Sequence, residues 1–151
     1  MRFGLDFGTS NSALAVADGG APRVLPLDPL AGETMPTILY VRREGSPLVG
    51  RPAIDAYLAD ERARGPVRRR VKLIGVRMAS SDPEQPTVEA HILADVDAPG
   101  RLFQSLKSFL GSPLDSPTSV FGTPMTLTAL VAVILEHVRR RAVELTGEAP
   151  D

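Results

Sequence analysis

The chain has 151 residues, of which 43% are apolar and 23% charged, with a formal net charge of -1. These proportions fit one globular domain and not a disordered tail, and the near-neutral balance gives no global attraction for nucleic acid or an anionic membrane. The lack of cysteine excludes a disulfide framework, a thiolate metal site and a cysteine nucleophile. Asp6 interrupts the first apolar stretch at once, and the longest apolar run, Ala129 to Leu135, is far short of the ~20 residues that cross a bilayer. A cytoplasmic protein with neither nucleic acid nor membrane as partner is expected.

In chain order, Phe3 to Ala17 reads as strand, tight turn, strand, because two short apolar runs flank a polar centre with Gly8, Ser10 and Asn11 at the break. Asp18-Gly19-Gly20 is a second turn. Arg23 to Leu27 predicts a third strand, leading into a loop over Asp28–Glu33, and Pro36 to Arg42 a fourth. Several strands before any helix predict an antiparallel meander at one edge of a mixed sheet. Pro52 to Ala59 predicts a short helix, with proline at the start, where a missing N–H costs nothing.

From Glu61 to Gly100 the composition changes: Arg64, Arg68, Arg69 and Arg70 gather near Pro66, Pro83, Pro86 and Pro99. Within this stretch Val71–Val76 and Val88–Ala94 predict an inserted hairpin with a proline-bearing tip. Arg101 to Leu110 predicts a helix ended by Gly111. The clearest helix is the last. Leu127, Leu130, Val131, Ile134, Leu135, Val138, Ala142 and Leu145 recur at helical spacing. Thr126 or Thr128 supplies its N-cap, Arg139–Arg141 complements its negative end, and Gly147 stops it. Glu148-Ala-Pro-Asp151 then reads as a cut rather than a conclusion.

The sharpest chemical signal is Asp6-Phe-Gly-Thr-Ser-Asn-Ser12. A magnesium–polyphosphate needs a carboxylate to hold the metal's water shell, since Mg²⁺ keeps several waters. It needs a glycine for close main-chain approach, then amides and hydroxyls aimed at phosphate oxygens. Asp6, Gly8, Thr9 and Ser10 supply these in order. Neither the P-loop spacing nor the dinucleotide glycine pattern occurs, so this is neither of those sites. A plain alternative stays open: a Gly-Thr-Ser-Asn hairpin turn is ordinary, and a neighbouring aspartate often just accepts from backbone amides.

Gly4-Leu-Asp-Phe-Gly-Thr-Ser-Asn-Ser12 closely resembles the first phosphate motif of DnaK-type heat-shock chaperones, in the actin, sugar-kinase and chaperone ATPase superfamily. Further stretches match in the same order: Pro22-Arg-Val-Leu-Pro26 with Gly32-Glu-Thr-Met-Pro-Thr-Ile38, Leu48-Val-Gly-Arg-Pro-Ala53, Phe103-Gln-Ser-Leu-Lys-Ser-Phe-Leu-Gly111, and Thr128-Ala-Leu-Val-Ala-Val-Ile-Leu135. The unmatched part, residues 64–99, reads as an insertion, and the wording resembles the YegD branch most. The resemblance implies an α/β, ribonuclease-H-like or actin-like ATPase lobe, of which residues 1–151 form the N-terminal part. It implies ATP and magnesium as cofactors, with Asp6 orienting the metal's waters and Gly8, Thr9, Ser10 and Asn11 at the phosphates. Lys107 matches the lysine that reaches the γ-phosphate. Val71-Lys-Leu-Ile-Gly75 offers a competing register with Lys72 in that role. The resemblance implies that the whole protein hydrolyses ATP and acts on unfolded or client proteins; the family's second phosphate motif and adenosine segment find no match, so this piece alone is expected to be inactive.

Two other readings stand beside it: a non-catalytic actin-like interaction module using the insertion, and a small-metabolite kinase of the same superfamily. His91 and His137 lie in no metal-ligand spacing, and no serine nucleophile elbow occurs. Arg68–Arg70 and Arg139–Arg141 lack the aromatic series of a nucleic-acid platform.

Overall fold

The computed structural model describes residues 1–30, 32–67, 69–79, 87–95, 97–111 and 117–150. Its first sheet contains β1 (Arg2–Phe7), β2 (Asn11–Ala17), β3 (Arg23–Leu25) and β4 (Met35–Pro36). The order is β1-β2-β3, with β4 also beside β2, and all pairings are antiparallel. Because side chains alternate across a strand, the register sorts this sheet into two faces. Phe3 lies opposite Val16, Leu5 opposite Leu14 and Leu14 opposite Leu25; Leu14, Val16 and Leu25 are buried. On the other face Gly4 lies opposite Ala15 and Asp6 opposite Ala13.

The expected strand from Pro36 to Arg42 is two strands. Thr37 separates β4 from β5 (Ile38–Arg42), and the two join different sheets. After β6 (Leu48–Val49) comes helix α1 (Arg51–Ala63), longer than the Pro52–Ala59 expected. Its start is fixed by a buried carboxylate. Asp28 accepts the Arg51 N–H at 2.6 Å and the Leu30 N–H at 2.9 Å, which places negative charge at the helix's positive end. Gly50 precedes the helix with φ 74°, and a Cβ there would lie 2.7 Å from an Asp28 carboxylate oxygen.

The expected hairpin is present as β7 (Arg69–Ala79) paired with β8 (Thr87–Asp95), both longer than predicted. Its proline-bearing tip, with Pro83 and Pro86, lies outside the described residues. The chain returns as β9 (Gly100–Gln104), which pairs with β5 in a three-stranded sheet of order β6-β5-β9. This corrects the helix expected over Arg101–Leu110: β5 offers a continuous ladder from Ile38 to Arg42, and only Leu106–Phe109 coils, as a short 3₁₀ turn. Ser105, left-handed at φ 57°, ends the strand.

α1 closes over β5 through one polar cluster. The Asp60 carboxylate accepts the Tyr40 hydroxyl at 3.0 Å and two guanidinium N–H groups of Arg42 at 2.9 and 3.0 Å. Burial first, then the bond to Asp60, pushes the Tyr40 phenol up to about 12. Gly100 is required beside it, since a Cβ would meet the tyrosine ring at 2.3 Å.

Sequence patterning gave no sign of the hairpin β10 (Thr118–Val120) and β11 (Thr123–Met125). Phe121 and Gly122 turn it with φ of 51° and 92°, the doubly positive turn that favours Asn-Gly over Phe-Gly. Helix α2 (Leu127–Thr146) is as expected: Thr126 Oγ1 accepts the Ala129 N–H at 3.1 Å, and Gly147 at φ 79° ends it. Leu130, Val131, Ile134, Val138 and Ala142 bury one side of α2 in a core shared with Leu14, Val16, Leu25, Leu39 and Phe103. The Arg141 guanidinium donates to the Leu27 carbonyl at 3.2 Å. Every pairing among the described residues is antiparallel, so the expected mixed sheet is not seen in them. No helix among them is long and apolar enough to cross a membrane.

Candidate functional site

Asp6 is the last but one residue of β1 and stands exposed on the face lined by Gly4, Ala13 and Ala15, away from the core. The local sequence dictates this: Phe3 and Phe7 take the core side, and alternation puts Asp6 on the other. Among the described residues no hydrogen bond or ion pair engages its carboxylate. The small side chains around it leave room that a Leu or Phe would fill.

The turn that follows is tight. A Cβ on Gly8 would lie 2.1 Å from the Asn11 carbonyl oxygen, so no other residue fits without moving the backbone. This satisfies the plain need of a hairpin and at the same time lets an anion approach the main chain. Thr9, Ser10 and Asn11 are exposed at its tip. The turn is held from one side. The Thr37 N–H donates to the Ser10 carbonyl at 2.8 Å, Asn11 pairs with Pro36, and the buried hydroxyls of Ser12 and Thr37 lie 2.8 Å apart. The Thr34–Ile38 stretch, which in sequence stands out only as a family match, is therefore the mechanical support of the turn. Only long-range pairing reveals this.

Lys107 is exposed on the 3₁₀ turn, which Leu106 anchors in the core. The register places it. Gln104 lies opposite Ile38, the residue after Thr37, so the chain leaves β9 at the end of the sheet where Thr37 holds the glycine turn. Lys72 lies in β7, opposite Ile92. The hairpin springs from the far end of α1, where Arg64 pairs with Asp95 at 2.6 Å, and feeds β9 at the Arg42 end. Five residues of strand, about 13–17 Å at the usual rise, separate that end of β5 from Ile38.

The described residues bring together no group of three or more acidic, histidine or cysteine side chains able to cage a metal ion. A magnesium ion at Asp6 would instead fit the pattern of one carboxylate, waters and ligand phosphates. A 320 Å³ cleft lies at Arg64, Pro66, Val67, Asp95 and Asp97, away from the turn. Another, of 610 Å³, lies at the opposite end of β1 and β2, lined by Met1, Arg2 and Asp18–Gly20. His137 is half-buried on α2, where burial first, then Arg140 and Arg141, push its imidazole below the usual range.

No model of a protein family matches the chain. A stretch of 53 residues, 33% of the chain, is 45% identical to the chaperone protein DnaK of Nitrosopumilus maritimus. A third of this chain is similar to DnaK. DnaK of Cenarchaeum symbiosum is 42% identical over 53 residues, and DnaK of Buchnera aphidicola 44% over 50. The aligned stretch spans 8% of the length of each of these DnaK chains. The likeness to these DnaK chains is that of a segment.

Proposed function

We propose that this chain supplies the first phosphate-binding turn of a Mg-ATP site in a cytoplasmic, DnaK-like chaperone of the YegD branch, built on an actin-like ATPase lobe. The observation that carries the reading is the exposed Asp6 carboxylate at the end of β1, beside a turn too tight for any residue but Gly8. The likeness to DnaK supports it. Magnesium, when bound with the nucleotide, would neutralise phosphate charge. Asp6 would hold the metal's waters, and the amides and hydroxyls of Gly8, Thr9, Ser10 and Asn11 would donate to phosphate oxygens. Lys107 would offset charge developing there, as a compact ammonium does in phosphoryl transfer. The whole protein would couple ATP hydrolysis to unfolded or client proteins.

The test uses the natural polypeptide that carries this segment. Asp6→Asn and Lys107→Ala should each lower Mg-dependent phosphate release from ATP by about 100-fold, with the melting temperature unchanged. Unaltered hydrolysis in both variants contradicts the proposal.

A further inference from the structure

We propose that Thr37 is a positioning residue that sets the glycine turn against the Lys107 turn, through the hydroxyl pair it forms with Ser12; this rests on the phosphate reading of the turn. Two hydroxyls lie almost wholly inside the protein, with Ser12 at 1% and Thr37 at 0% exposure, 2.8 Å apart. Packing alone does not call for them. Alanine and valine would fill the same space, and replacing both partners of a buried hydrogen bond by apolar groups of like shape is close to neutral for stability. What the hydroxyls add is direction. A hydrogen bond fixes the mutual angle of the two residues, which contact between methyl groups does not.

The direction matters because of where Thr37 stands. It is the single residue between β4 and β5, the joint of the two sheets. On one side its N–H donates to Ser10 in the turn at 2.8 Å, and its neighbour Pro36 pairs with Asn11. On the other side Ile38 pairs with Gln104 and accepts the Gly50 N–H at 3.0 Å. Gln104 leads through the left-handed Ser105 into the turn that carries Lys107. The two candidate phosphate-facing elements follow from different sheets, and Thr37 is bonded to the first and adjacent in chain to Ile38, which pairs with the strand that leads into the second. Rotation at Thr37 would change the span between them while leaving both sheets and the α2 core intact.

Thr37→Val removes the hydroxyl and keeps both the amide donor and the branched shape; Thr37→Ser keeps the hydroxyl. In this chain, amide hydrogen exchange should be at least tenfold faster at Thr37, whose N–H holds the turn, in Thr37→Val. Exchange at Ile134 and Val138 in α2 should quicken less than at Thr37, by no more than the global cost of the unpaired Ser12 hydroxyl, and Thr37→Ser should restore the wild-type pattern. Ser12→Ala, which deletes the partner hydroxyl, should reproduce the Thr37→Val result. In the natural polypeptide, affinity for magnesium tripolyphosphate should fall about tenfold in Thr37→Val and recover in Thr37→Ser. Equal acceleration across the turn and α2, or no change at the turn, overturns the positioning role in favour of simple packing. Failure of the wild-type polypeptide to bind magnesium tripolyphosphate sinks the phosphate reading, while the exchange pattern by itself decides whether the hydroxyl pair sets the turn.

Discussion

The two faces of the first sheet are made of the same strands and obey opposite rules. One presents Leu14, Val16 and Leu25, buried in the same core cluster as Ile134 and Val138 of α2. The other presents Gly4, Asp6, Ala13 and Ala15, none of them buried. Hydrophobic burial holds the first face, and its side chains are large because large apolar groups gain most from leaving water. On the second face small residues leave the backbone accessible and one carboxylate standing out. Stability and candidate chemistry thus lie on the two sides of one layer, a separation that strand alternation makes possible.

The contrast breaks most strongly at Leu14. Leu14→Ala should cost about 2–5 kcal/mol in chemical denaturation, whereas Ala15→Ser, next door on the open face, should stay within about 0.5 kcal/mol. Glycines sharpen it further. Gly100→Ala drives a methyl into the Tyr40 ring and should cost about 1–3 kcal/mol. At Gly4 an added methyl would meet nothing within 4 Å, so Gly4→Ala should leave the denaturation midpoint nearly unchanged. Tyr40 on the closed side adds an alkaline signature. Its phenol is raised in the folded state from 10.0 to about 12, so the stability it contributes is complete below pH ~10 and lost as pH rises towards 12. Spectrophotometric titration should show one tyrosine ionising late, and Tyr40→Phe should remove that part of the alkaline loss. His137 gives the smallest effect, with the reverse sign. Its folded-state value lies below the unfolded 6.5, so the unfolded chain binds the proton better. Stability is complete above pH ~6.5 and falls as pH drops through that value. His137→Gln should flatten the decline in melting temperature between pH 7 and 5.

Much of this was legible in sequence, for local reasons. The opening hairpin follows from alternation about Gly8, and α2 from its apolar spacing with Thr126 and Gly147 at the ends. The inserted hairpin followed from β-branched runs either side of a proline-rich stretch. What stayed hidden depends on partners distant in the chain. Phe103 could sit on a helix or a strand; β5, more than 60 residues earlier, decides. The run from Pro36 to Arg42 looks continuous until Thr37 is claimed by Ser10 and Ser12. The turn itself was readable, but its support was not, because the bond from Thr37 to Ser12 bridges 25 residues.

The central claim is that the open face carries a phosphate-binding turn, and amide mapping of this chain tests it most directly. On titration with magnesium tripolyphosphate, the amide resonances of Gly8, Thr9 and Ser10 should shift together and those of α2 should stay still. Asp6→Asn should abolish the shifts without altering the fold. Shifts that survive Asp6→Asn, or that gather elsewhere on the surface, would contradict the account.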